Sequence, residues 1–229
     1  VSEPHRINAG LDRVGQLVAR NAALREIDAA RVADGSPIEA DDLAAARAEG
    51  LGAARAALWR RIIPQRYHTA SLADWSGQVG DDLAEWAANP DGRNLLLFGP
   101  VGTGKTHAAV AACRPAHDRG LDVAYWPTGK LLDVLRPTDG PDRIEIDDVV
   151  DVDRLILDDL GVERSSDWTA ERLDLIIDGR WAEVRPTVLT TNLRPEALRE
   201  RLGARGYDRL TGSAIALHLS GDTRRRTTR

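Results

Sequence analysis

The fold is decided by Leu95-Leu96-Leu97-Phe98 followed by Gly99-Pro100-Val101-Gly102-Thr103-Gly104-Lys105-Thr106. Four consecutive apolar residues ending in glycine have the length and composition of a strand buried on both faces. The octapeptide fits G-x-x-x-x-G-K-[ST] at every fixed position. Its glycines let the backbone wrap an anion with N–H groups, and a helix opening at Lys105 would turn its positive end to the same point. Lys105 is then placed to bridge β- and γ-phosphates, and the Thr106 hydroxyl to ligate Mg²⁺. Lys105 and Lys130 are the only lysines beside 29 arginines, which fits a need here for a compact point charge. The competing reading is a chance match in a glycine-rich turn. Strand, loop and helix in register argue against it.

Working outward, similar apolar runs occur at Val123-Ala124-Tyr125-Trp126, Leu155-Ile156-Leu157, Val188-Leu189-Thr190 and Ala214-Ile215-Ala216-Leu217, with helical composition between them. Five apolar strands alternating with helices predict an α/β domain built on a five-stranded parallel sheet. Arg154-Leu155-Ile156-Leu157-Asp158-Asp159 puts two carboxylates at the C-terminal end of a strand, where open α/β sheets bind ligands. Alone, such a pair reads as a solvated turn. Beside a phosphate loop, Asp158 is expected to hold the Mg²⁺ shell and Asp159 to orient or deprotonate an attacking water. Thr187-Val188-Leu189-Thr190-Thr191-Asn192 ends a third strand in an amide that could contact the γ-phosphate or simply cap the helix beginning at Pro195.

The first 63 residues read as helical. Ile7, Leu11, Val14 and Val18 share one helix face, and Ser36-Pro37-Ile38-Glu39 has the form of a capped helix start. A second run carries Leu51, Ala54, Leu58 and Ile62, with a break expected at Gly50 and Gly52 and a stop before Pro64. Residues 1–63 are therefore expected to form a helical module, either packed on the chain's own main domain or docking a partner protein, and 64–229 the α/β domain.

The chain has 229 residues, 42% of them hydrophobic and 29% charged, the balance of a globular protein. A single cysteine, Cys113, excludes an internal disulfide and a multi-cysteine zinc site. No window suits a membrane helix and the start carries no signal pattern, so the expected location is cytoplasmic. The net charge of −5 is unevenly spread: residues 1–63 are neutral, residues 64–193 carry an excess of ten acids and residues 194–229 an excess of five arginines. An anion-facing surface should draw on the C-terminal stretch.

Together these elements resemble the AAA+ ATPases of the DnaC-like helicase-loader and IstB-like group. The likeness runs from Ile63-Pro64-Gln65-Arg66-Tyr67 through residues 96–107, ending in His107, and Leu155-Ile156-Leu157-Asp158-Asp159-Leu160-Gly161-Val162-Glu163. It continues through Ile177-Asp178-Gly179-Arg180-Trp181, Pro186-Thr187 to Leu193, Arg205-Gly206-Tyr207-Asp208-Arg209-Leu210 and Gly221-Asp222-Thr223-Arg224-Arg225. The resemblance implies ATP and Mg²⁺ as ligands, Lys105 and Thr106 as Walker A residues, Asp158 and Asp159 as the Walker B pair, and Asn192 as sensor 1. It makes Arg209 an arginine finger serving a neighbour's nucleotide, with Arg205 in support, and Arg225 a sensor 2 surrogate. Both Arg205 and Arg209 also read as ordinary ion-pair residues, and Arg225 as part of a solvated or DNA-touching tail. Two departures are noted. Pro115 should stop or kink the helix after the phosphate loop, and the ten residues after Leu219 leave no room for a helical lid.

The function this implies is loading a hexameric replicative helicase onto single-stranded DNA, with the N-terminal helices gripping the helicase and the ATP-bound AAA+ domains self-associating. The alternatives are a transposition helper ATPase of the IstB type, a P-loop kinase of a small metabolite, and a protein that holds ATP with little hydrolysis. The segment from Lys130 to Val149 carries Lys130, Arg136 and Arg143 among six acids, which speaks against DNA contact there.

Overall fold

The computed structural model describes residues 40–136, 144–162 and 166–220, with side chains described from residue 50 onward. The chain divides into two compact units between His68 and Thr69; from the sequence the division was expected between Ile63 and Pro64.

In the first unit, α1 (Ala40–Ile62) is followed by a 3-10 turn at Gln65–Tyr67. The break expected at Gly50 and Gly52 does not occur. Each glycine costs about 1 kcal/mol relative to alanine, but nine of the 23 residues in α1 are alanine, the strongest helix former. The helix ends before Pro64, as its restriction of the preceding residue requires. The expected helix through Ile7 and Val18 and the Ser36 cap lie outside the described residues.

The second unit runs α2 (Gly77–Ala88), β1 (Leu95–Phe98), α3 (Lys105–Asp118), β2 (Val123–Pro127), α4 (Thr128–Val134), α5 (Ile146–Val150), β3 (Arg154–Leu160), α6 (Asp167–Ala182), β4 (Thr187–Thr191), α7 (Pro195–Thr211) and β5 (Ile215–His218). The five strands form one sheet in the order β2-β3-β4-β1-β5, every adjacent pair parallel. The apolar runs become its buried centre: Leu95, Leu97, Leu155, Ile156, Leu157 and Val188 are fully covered. Parallel order puts all strand C-termini on one edge, so the loops after β1, β3 and β4 meet there.

Helix α3 packs across β1, β2, β3 and β4. Ala108, Ala109, Ala111, Ala112 and Cys113 are all fully buried on it, so its small side chains let the helix backbone lie close to the sheet. Pro115 does not stop the helix, which continues to Asp118. Lying in the last turn, the proline removes only the single bond to the carbonyl four residues back. The end is closed by Gly120 at φ 91°, with Leu121 N bonding Ala116 O at 3.1 Å and Gly120 N bonding His117 O at 2.8 Å, a Schellman motif.

Helices α6 and α7 pack on each other and α6 also on α5. Ser166 caps α6 through Thr169 N at 3.2 Å. Gly203, at φ 71° and ψ 165°, breaks α7 in two. Arg180 on α6 is fully buried. Its guanidinium donates to the carbonyls of Val149, Val150, Val152 and Pro186 at 2.7–3.1 Å and to Thr187 Oγ1 at 2.9 Å. It therefore ties α5, the turn before β3 and the start of β4 to one side chain. Burial, reinforced by the charges of Arg185 and Arg154, pushes its pKa down to about 9, which leaves it charged at neutral pH.

Candidate nucleotide site

The phosphate loop follows β1 at the C-terminal edge of the sheet and opens α3 at Lys105. Gly102 and Gly104 hold φ 90° and 93°, the left-handed backbone that gathers successive N–H groups on one concave side. Gly99, at φ 139°, lies against the chain after β5, where a Cβ would stand 2.2 Å from the Leu219 carbonyl oxygen. No other residue fits there. Thr103 Oγ1 closes the loop on Pro100 O at 3.0 Å. Val101 points outward and contributes only backbone.

Lys105 is buried, and its Nζ donates to Gly99 O and Pro100 O at 2.8 Å each and to Asn192 Oδ1 at 2.5 Å. The amide that ends β4 is thus a partner of the loop lysine and not a helix cap, the N-cap of α7 being Arg194. Asn192 Nδ2 in turn approaches Asp159 Oδ1 at 3.4 Å.

The two carboxylates owe their placement to a bulge. Leu157 pairs with Leu189 and Leu160 with Thr191, so Asp158 and Asp159 together oppose Thr190. A two-against-one bulge re-aims side chains, and Asp159 takes φ 60° to make it. Thr190 Oγ1 secures the distortion, accepting from Asp159 N at 2.8 Å and donating to Asp158 Oδ1 at 2.6 Å. Asp158 is buried and also accepts from Thr106 Oγ1 at 2.9 Å and from Tyr125 Oη at 2.6 Å. Asp159 is exposed at the rim.

These residues fit a magnesium-bound nucleoside triphosphate. The loop supplies inward N–H groups and one cation, while Thr106 and Asp158 offer adjacent hard oxygens of the kind Mg²⁺ prefers. Sequence reasoning missed Thr190 and Tyr125. Thr190 stood two positions before Asn192 in a stretch already singled out, whereas Tyr125 becomes a neighbour only once β2 is known to pair with β3.

Two other expected residues stand apart, and a third is not described. His107 faces away from the loop, its Nε2 3.2 Å from Asp74 Oδ2 and its ring 6.0 Å from that of Trp75. Only its backbone belongs to the phosphate loop and helix start. Arg209 lies at the opposite edge of the sheet: Leu210 O accepts from Asn94 Nδ2 at 2.9 Å, and Asn94 directly precedes β1. A four-residue strand spans about 13 Å, so Arg209 does not reach the phosphate loop of its own chain. Its guanidinium pairs with Asp178, which Arg205 shares at 3.0 Å, and stacks 4.8 Å over the ring of Trp181. Arg225 lies outside the described residues.

A family model described as IstB-like ATP binding protein matches residues 59–229. The replicative helicase loader DnaC of Escherichia coli is 28% identical over 137 residues, covering 58% of this chain and 56% of that protein. An insertion-sequence ATP-binding protein of Pseudomonas fluorescens is 39% identical over 146 residues, covering 58% of this chain and 62% of that protein. The chain thus spans little more than half the length of these curated relatives. A crystal structure of the DnaC helicase loader superposes with a TM-score of 0.59 at 26% identity, over 68% of this chain and 99% of that one. With a family match over most of its length and an AAA+ P-loop core that agrees with it, the chain belongs to the IstB-like ATP-binding proteins.

Proposed function

We propose that this protein is a Mg²⁺-dependent ATPase that loads a hexameric replicative helicase onto single-stranded DNA. The observation that carries the ATPase reading is the convergence of Lys105, Thr106, Asp158, Asp159 and Asn192 at one sheet edge. Lys105 and the loop N–H groups bind the phosphates, and Thr106 and Asp158 would hold Mg²⁺, which would supply charge neutralisation to the triphosphate. Asp159, exposed beside Asn192, orients the attacking water. Arg209, held at the far edge, serves the site of a neighbouring copy, so turnover depends on self-association. Residues 1–63 form the module that docks the helicase, and ATP acts as a switch that holds the assembled state until hydrolysis releases it.

The loader assignment rests on the likeness to DnaC. A second reading, a helper ATPase of an insertion sequence, is favoured by the family match and by the higher identity to the Pseudomonas fluorescens protein. The catalytic residues are the same in both, so the client decides. Capture of partners from the native host lysate with ATP present, followed by mass spectrometry, separates them. Replicative helicase retained by the full chain, and lost by one lacking residues 1–63, supports the loader; a transposase in its place supports the insertion-sequence helper. Lys105→Ala should lose ATP binding by about a hundredfold, since it removes a charge-assisted contact worth up to about 3 kcal/mol. Ordinary affinity in that variant, measured by equilibrium titration, would sink the site assignment.

A further inference from the structure

We propose that Tyr125 is a positioning residue for the metal: its hydroxyl fixes Asp158 so that Asp158 can orient Thr106 and keep one oxygen lone pair for the Mg²⁺ shell. The proposal rests on the reading of this site as one for a magnesium–nucleotide complex.

Asp158 is buried and its two oxygens are engaged differently. Oδ1 accepts from both Thr106 Oγ1 at 2.9 Å and Thr190 Oγ1 at 2.6 Å, which uses its two lone-pair directions. Oδ2 accepts from Tyr125 Oη at 2.6 Å and keeps a second direction open. The Thr106 hydroxyl spends its proton on Asp158, which leaves its own lone pairs available to accept a cation. Tyr125, Asp158 and Thr106 thus form a chain of contacts in which each member sets the direction of the next.

The sheet explains why a tyrosine performs this role. Pro127 of β2 pairs with Asp158 of β3. Tyr125, two residues earlier, shares a sheet face with Pro127, and its long phenol reaches along the strand to the carboxylate. Asp158 stands on a bulge, where the ladder to β4 no longer holds its backbone. Thr128 Oγ1 supports the same residue from α4, donating to Asp158 O at 3.0 Å. Side chains from β2, α3, α4 and β4 therefore replace the restraint that the ladder has lost.

The test is a titration of the full chain with a fluorescent ATP analogue, in EDTA and across a Mg²⁺ series, for wild type and Tyr125→Phe. The phenyl ring keeps the packing and removes only the hydroxyl. The expected result is unchanged nucleotide affinity in EDTA and a Mg²⁺ midpoint raised about tenfold or more, the usual effect of losing an outer-sphere partner. A midpoint that stays put, or falls because the hydroxyl had competed for Oδ2, overturns the proposal. Loss of nucleotide affinity in EDTA also overturns it, since a general structural role or a misfolded variant would show itself there. A wild-type chain whose affinity ignores Mg²⁺ would sink the underlying site reading as well. The wild-type arm therefore distinguishes the two failures.

Discussion

Arg180 shows how much one side chain can organise. Its five contacts reach carbonyls on both sides of β3 and a hydroxyl on β4, all away from water. Removing the guanidinium strands four buried carbonyls and the Thr187 hydroxyl oxygen, so Arg180→Met should cost about 3 kcal/mol or more, read as a lowered urea midpoint. A loss below about 1 kcal/mol would mean that water reaches those carbonyls. Its neighbours in sequence are equally committed: Asp178 holds Arg209 and Arg205, Gly179 packs against Val150 where a Cβ would come within 3.0 Å, and Trp181 lies under Arg209. Cys113 is the other buried group with a large shift. Burial pushes its thiol pKa up to about 12, while the unfolded thiol ionises near the ordinary 9.0. Between those values the unfolded chain gives up a proton that the folded chain keeps, so this group lowers stability as pH rises through that window. Below it, covered and protonated, Cys113 should resist a thiol reagent at about pH 8 until the chain unfolds. Rapid labelling of the native chain would contradict that.

At the scale of elements, α3 and the β3 bulge carry the argument. The alanine-rich face of α3 leaves no room for larger side chains, so Ala112→Leu should destabilise by about 1–3 kcal/mol through overpacking. Chemical denaturation measures this, and an unchanged midpoint would show that the helix can retreat from the sheet. All five strands were legible in the sequence as short apolar runs, including the edge strand β5, which buries only Leu217. The phosphate loop was legible because its chemistry is contiguous. The bulge was not, since nothing in Asp158-Asp159 tells a turn from a distorted strand until the register with β4 is known. Gly50 and Gly52 misled for the opposite reason: local propensity predicts a break, but the cumulative preference of an alanine-rich helix carries the chain through. Tyr125 near Asp158 and Asp178 near Arg209 are pairings of distant residues, and strand order and helix packing create them.

At the scale of the molecule, the phosphate loop and Arg209 occupy opposite edges of one sheet. Arg209→Ala should therefore leave ATP binding at the wild-type level and abolish partner- or DNA-stimulated turnover, by about a thousandfold for a finger supplied in trans. Unchanged stimulated turnover would remove Arg209 from the reaction. Mixing Arg209→Ala with Lys105→Ala should restore part of the activity that each lacks, because an intact loop on one chain can meet an intact arginine on the other. The exposed Trp181 and Val184 on the same side as Arg209 give such a contact apolar area.

On the proposed role of Arg209, a subunit receives at one edge and donates at the other, so it has a direction, and so does anything built from it. Contacts of this kind join unlike surfaces head to tail, and an open row always ends in one unfinished pocket and one idle guanidinium. The fraction of working pockets then grows with the length of the row and becomes complete only when the row closes on itself. Turnover per subunit would in that way count neighbours, and a lone chain would keep its nucleotide like a wound spring with the catch still set.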